Sequence, residues 1–137
     1  MNYLNGPKKY ALDSSILIHN FYLKDPKIDL LIKNGVTNIV ALSECYYILC
    51  RKENNQIASK YIDTLMNDIQ IISSDQIVKI VGQFKCKFSI ALADCWTLAT
   101  AFALKIVAVF AFKEKELVKN LNDIFKEVEL KFFEDTQ

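Results

Sequence analysis

Short β-type runs alternate with helix-period segments from one end of the chain to the other, and few folds accommodate that order. KKYALD reads as a strand, SSILIHNFYLK and DPKIDLLIKNG as helices, TNIVAL as a second strand and ECYYILCRK as the helix after it. NNQIASKYIDTLMND reads as helical and IQII as a short strand, followed by helices through SSDQIVKIVGQFKCK and SIALADCWTLATAFALK. IVAVFAF is then a strand, KELVKNLNDIF a helix and VELKFF a last strand. Ser14 or Ser15 is placed to cap the first helix and Ser43 the one through ECYYILCRK, while Pro26 falls in a first turn and Gly35 beyond a helix end. Strands joined through helices pair in parallel, so the expected architecture is α/β, a parallel sheet with helices on both faces. In such sheets functional groups gather beyond the carboxyl ends of the strands.

With 137 residues, 52% of them hydrophobic, and only 3 glycines and 2 prolines, the chain can bury a real core, and one domain spanning 1–137 is the simplest partition. Cys45, Cys50, Cys86 and Cys95 form no CxxC pair and His19 is the sole histidine, which argues against a zinc site or a Cys/His nucleophile. The thiols are expected to be buried, and His19 to serve packing or surface. MNYLNGPKKY has no apolar signal-peptide core, so a reducing, cytoplasmic setting is expected. The longest apolar run is broken by Asp94 and Lys105, which argues against a membrane span. A net charge of +1 provides no global attraction to nucleic acid. Any such contact must be local, through Lys8, Lys9, Arg51, Lys52, Lys85 and Lys87.

Asp94 is the residue that needs explaining. It interrupts an apolar helical pattern, where a carboxylate without a partner is costly. Asp13 follows the first strand, Glu44 the second, and Asp94 lies early in the helix leading to IVAVFAF, read as the central strand. At one sheet edge three carboxylates repel unless a hard cation neutralises them, which points to Mg²⁺ or Mn²⁺. Their carboxyl groups are then expected within about 4 to 8 Å of one another. The alternative is that each acid is an ordinary helix-start residue favoured by the helix dipole.

YALDSSILI, ALSECYYIL and IALADCWTLATA, in this order and at these separations, resemble the PIN-domain nucleases and, within them, the VapC-like toxin ribonucleases. The resemblance covers nearly the whole chain and implies a PIN-like parallel-sheet sandwich. It matches Asp13, Glu44 and Asp94 to the family's acidic metal-binding positions, and Ser14 to the hydroxyl residue beside the first acid. Implied roles are Asp13 and Asp94 as metal ligands, Glu44 as ligand or general base, and Ser14 as the hydrogen-bonder that orients Asp13. The activity implied is Mg²⁺- or Mn²⁺-dependent endoribonuclease cleavage of RNA. A cognate antitoxin is a possible partner. A homodimer is expected too, with Phe21, Tyr22, Tyr46 and Tyr47 near the helices flanking the site. The chain departs from the pattern in VAVFAFKEKEL, where Phe110 and Phe112 stand at the family's threonine and fourth aspartate. Glu114, two residues on, is placed to substitute for that acid, with Glu116 two beyond; both are equally readable as first-turn residues of the next helix. Two competing functions follow from the departure and from the chemistry: a catalytically degenerate PIN-like binding or regulatory module, and a small metal-dependent phosphatase.

Overall fold

The computed structural model describes residues 8–136. β1 (Tyr10–Leu12) stops where Asp13, in an extended conformation, accepts the Ser15 N–H on its own side chain at 3.1 Å. That bond satisfies a first-turn donor and starts α1 (Ser14–Leu23), so the cap is Asp13 rather than either serine. α1 ends at Lys24 in the left-handed region, and Asp25 then caps α2 (Pro26–Lys33) by accepting the Lys27 N–H at 2.9 Å. Gly35 opens β2 (Gly35–Thr37) because nothing larger fits: a β-carbon there would lie 2.5 Å from Leu12 Cδ1 and 2.6 Å from the Leu31 carbonyl oxygen.

The expected strand TNIVAL is mostly helix. β2 closes at Thr37, and the buried Asn38 side chain accepts the Ala41 N–H at 2.8 Å, starting α3 (Ile39–Lys52). A satisfied cap outweighs the strand preference of the adjacent β-branched residues Ile39 and Val40. Ser43 therefore lies inside the helix, its hydroxyl donating to the Ile39 carbonyl at 2.8 Å, and Glu44 sits in the second turn instead of at a strand-to-helix junction. Asn54 caps α4 (Asn55–Asp68), which leads into β3 (Gln70–Ile71). A 3-10 turn at Ser74–Gln76 precedes α5 (Val78–Lys87). α6 (Leu92–Leu104) ends on left-handed Lys105 and is followed by β4 (Val107–Phe110). The helix expected through KELVKNLNDIF breaks at Asn120 into α7 (Lys115–Lys119) and α8 (Leu121–Ile124). Asn120 is the stop: its side-chain amide donates to the Glu116 carbonyl at 2.9 Å, taking an acceptor at the end of α7. β5 (Leu130–Phe132) and a 3-10 turn over Phe133–Thr136 complete the described chain.

All neighbouring strands run parallel, in the order β3-β2-β1-β4-β5. β1 is the middle strand, so IVAVFAF supplies its inner neighbour and not the centre of the sheet. Two-residue alternation splits the core in two. Ala11, Ala108 and Phe110 face the helices α5 and α6 through Val81, Phe84, Cys95 and Leu98. Leu12 and Val109 face the opposite side, where Ile16, Ile28, Cys45 and Leu65 come from α1 to α4. The strand order reverses between β1 and β4, and the chains leaving those two strands diverge to opposite sides there, which opens a crevice at their carboxyl ends. Among the described residues no helix is long and apolar enough to cross a membrane.

Candidate active site

The crevice is where Asp13 lies. Its backbone N–H continues the sheet pairing by donating to the Val109 carbonyl at 3.0 Å, and its carboxylate is almost completely buried. One carboxylate oxygen accepts the Ser15 N–H and the other accepts the Thr97 hydroxyl, each at 3.1 Å. Burial pushes the Asp13 carboxyl up from 3.8 to about 6, against the pull of the Ser15 and Thr97 hydrogen bonds, and the charge of Glu44 adds to the rise. The Ser14 hydroxyl is not directed to Asp13; it donates to Glu44 Oε1 and so fixes the second acid across the α1–α3 contact.

Asp94, in the first turn of α6, is 5% exposed, and its Oδ2 has no hydrogen-bond partner among the described residues. Its carboxyl rises furthest, from 3.8 to about 8, through burial first and then the charges of Asp13, Glu114 and Glu44. Glu114 stands at the entrance to α7, where its side chain makes no capping bond. Its carboxyl is raised by partial burial and by Glu44. Four acids from four parts of the chain therefore share one electrostatic field. As the side chains stand, however, no three acid, thiol or imidazole groups among the described residues are arranged to hold a metal ion. The donor set is nonetheless the kind a hard divalent cation takes: carboxylate oxygens only, one of them buried without a hydrogen-bond partner, and mutually repulsive until neutralised.

The other sequence candidates divide clearly. Phe110 is buried in the core and Phe112 is half exposed, its ring edge-on to His19 at 5.6 Å between centroids, so neither offers an oxygen. Glu116 is exposed in the first turn of α7. Lys8 and Lys9 precede β1 and lie at the end of the sheet away from Asp13, with Lys8 donating to the Lys33 carbonyl at 3.0 Å. Arg51 stands over the Tyr47 ring, Lys52 over the Tyr22 ring, Lys85 donates to the Ile90 carbonyl, and Lys87 pairs with Glu127 at 2.7 Å. Among the described residues no ion pair links any of these cations to the four acids. All four cysteines are unpaired; Cys45 and Cys95 are buried, but Cys50 is only partly so and Cys86 is exposed, so the expectation of buried thiols holds for two. Burial, with Glu44 adding, pushes the Cys45 thiol up to about 12, which leaves it no nucleophile.

Thr97 is the residue that the sequence reading missed. It is fully buried and holds Asp13 from α6, three residues after Asp94. The signal was present in that spacing, since residues three apart share a helix face, and a hydroxyl inside an apolar stripe needs a partner.

None of the curated proteins matches this chain. Solved structures do match over nearly its whole length. A chain of the DNA-bound VapBC from Salmonella typhimurium superposes with a TM-score of 0.70 at 14% identity, covering 92% of this chain and 98% of that one. A chain of VapBC2 from Rickettsia felis, bound to a DNA fragment from its promoter, gives 0.65 at 17% identity, covering 90% and 97%. VapBC-1 from nontypeable Haemophilus influenzae gives 0.65 at 18%, covering 91% and 98%. At these identities the likeness is one of fold. Residues 10–123 match the PIN domain model, a span that contains Asp13, Glu44, Asp94 and Glu114 alike, and the chain belongs to the PIN-domain family.

Proposed function

We propose that this protein is a metal-dependent endoribonuclease acting as the toxin of a toxin-antitoxin pair. The observation that carries the reading is the shared field of Asp13, Glu44, Asp94 and Glu114 at the strand-order reversal, where burial and mutual repulsion raise three of the four carboxyls. Asp13, Glu44 and Asp94 would hold Mg²⁺ or Mn²⁺, with Glu114 serving for the acid absent at Phe112. A bound divalent ion supplies Lewis-acid charge at the scissile phosphate and lowers the pKa of an attacking water. The protein's own part is orientation. Thr97 and the Ser15 N–H hold Asp13 by one oxygen each, and the Ser14 hydroxyl holds one oxygen of Glu44, leaving the other to serve as a ligand or as the base that would take a proton from the water. No histidine or thiol is required, in keeping with a high-pKa Cys45 and a His19 whose ring packs edge-on to Phe112 and Phe133.

The substrate class and partners rest on the family likeness. The similar structures are VapBC complexes, so a small antitoxin protein is the proposed partner, and the unpaired cysteines suit a reducing cytoplasm. Calorimetric titration with Mn²⁺, beside cleavage of a single-stranded RNA and of a phosphomonoester, tests the reading. Mn²⁺ binding with RNA cleavage is the expected result. Absence of both would leave the degenerate binding module, which the phenylalanine at position 112 favours, and hydrolysis of the monoester alone would indicate a phosphatase. We also propose a homodimer, since Tyr22, Leu23, Ile39 and Tyr47 leave much apolar surface exposed on α1 and α3. Light scattering at tens of micromolar is expected to report twice the chain mass, and a monomer there would overturn it.

A further inference from the structure

Ala111–Lys113, which joins β4 to α7 and carries Phe112 toward Glu114, is held on two sides. From α1, the Ser15 hydroxyl accepts the Ala111 N–H at 2.9 Å, and one turn further along the same helix face His19 meets Phe112 edge-on. From the carboxyl-terminal turn, Glu134 donates its N–H to the Ala111 carbonyl at 3.2 Å and accepts the Lys113 N–H on its side chain at 2.8 Å. Lys113 also pairs with Asp135 at 2.7 Å. His19 joins the two sides, because its ring lies edge-on to Phe133 as well, with centroids 5.5 Å apart. Its Nε2 is buried and has no hydrogen-bond partner among the described residues.

A histidine kept for proton transfer or metal binding would have a nitrogen aimed at a partner or at solvent. Nε2 is placed for neither, while the partly buried ring makes two aromatic contacts that join α1 to both sides of the segment. We infer that His19 works as an aromatic bracket: with Ser15 and Phe133 it clamps the Ala111–Lys113 segment through Phe112, and so holds Glu114 at the acidic crevice. Phe112 is then more than a lost acid, because it is the handle by which the segment is gripped. The bracket acts only through Glu114, so His19 is a positioning residue, and its consequence for catalysis rests on the nuclease reading above.

The test compares His19→Ala, which removes the ring, with His19→Phe, which keeps a ring and removes both nitrogens. Amide hydrogen exchange at Ala111 and Lys113 reads the bracket without any ligand, and Mn²⁺ affinity by calorimetry reads its effect on the acids. His19→Ala is expected to speed exchange at those two amides and to weaken Mn²⁺ binding by roughly tenfold or more, with the rest of the exchange map unchanged. His19→Phe is expected to keep both near wild type. Phe112→Ala, at a half-exposed position that folding can spare, should reproduce the His19→Ala exchange pattern. Unchanged exchange in His19→Ala and Phe112→Ala would overturn the bracket, and a His19→Phe protein as impaired as His19→Ala would show that the imidazole itself is needed. A wild-type protein that binds no Mn²⁺ would instead remove the nuclease reading, while the exchange data would still decide whether the segment is clamped by rings.

Discussion

Asp94→Asn is expected to stabilise the metal-free protein at pH 8 while abolishing RNA cleavage. In the folded state this carboxyl is raised from 3.8 to about 8, chiefly by burial and then by the charges of Asp13, Glu114 and Glu44. A raised acid means that the folded protein holds a proton the unfolded chain has released, so stability falls as pH climbs from about 4 toward 8. Asp13, raised to about 6, adds to the lower half of the same decline. Removing the charge at position 94 should flatten the profile and restore on the order of 2 to 4 kcal/mol near pH 8. Mn²⁺ should have the same sign of effect on wild type, since it relieves the repulsion, and little effect on the variant. Cleavage should fall by roughly two to three orders of magnitude, the scale set by losing one preorganised charge at a transition state. Thermal melts between pH 4 and 8, with and without Mn²⁺, check the first part; a wild type whose stability rises steadily across that range would refute it.

Glu114→Gln should match Asp94→Asn in lost cleavage and differ from it in stability. Glu114 is exposed at the start of α7, and its carboxyl is raised more by partial burial than by Glu44. Neutralising it relieves some repulsion across the crevice but uncovers no core, so the metal-free melting temperature should be unchanged or slightly higher. Cleavage that stays at wild-type level in Glu114→Gln, beside a dead Asp94→Asn, would mean that three acids suffice and that Glu114 is only a helix-start residue. The paired variants also separate Glu114 from Glu116, whose substitution by glutamine should leave cleavage intact.

The alternation of strand and helix was readable because it depends on local periodicity, and the parallel sheet follows from that alternation with little further information. What was not readable depended on single side chains acting at element ends. Asn38 turns a β-branched run into the first turn of α3, and Asn120 cuts one expected helix in two; each does so through one side-chain hydrogen bond that no hydropathy pattern records. The site shows the same division. Asp13 stood out as a candidate because a strand ending in an acid before a helix is a local pattern, and Asp94 because it breaks an apolar stripe. The partner given to Ser14 was Asp13, yet its hydroxyl reaches Glu44 thirty positions away. Thr97 reaches Asp13 across 84 positions. Pairings of that kind are set by how helices cross the sheet edge, which is tertiary information.

The place of β1 in the sheet also sets a timetable. It is the first strand in chain order among the described residues, yet it lies in the middle of the sheet, between β2, which follows soon after, and β4, which begins only at Val107. Asp13 is pinned by Val109 and Thr97, and Glu114 comes later still. A growing chain emerging from the ribosome can form the β1–β2–β3 half and its four helices, but it has no closed acidic crevice until β4 and Glu114 have been made. The acidic cluster of such a chain cannot come together until residues through Glu114 have been made, a delay written into strand order alone.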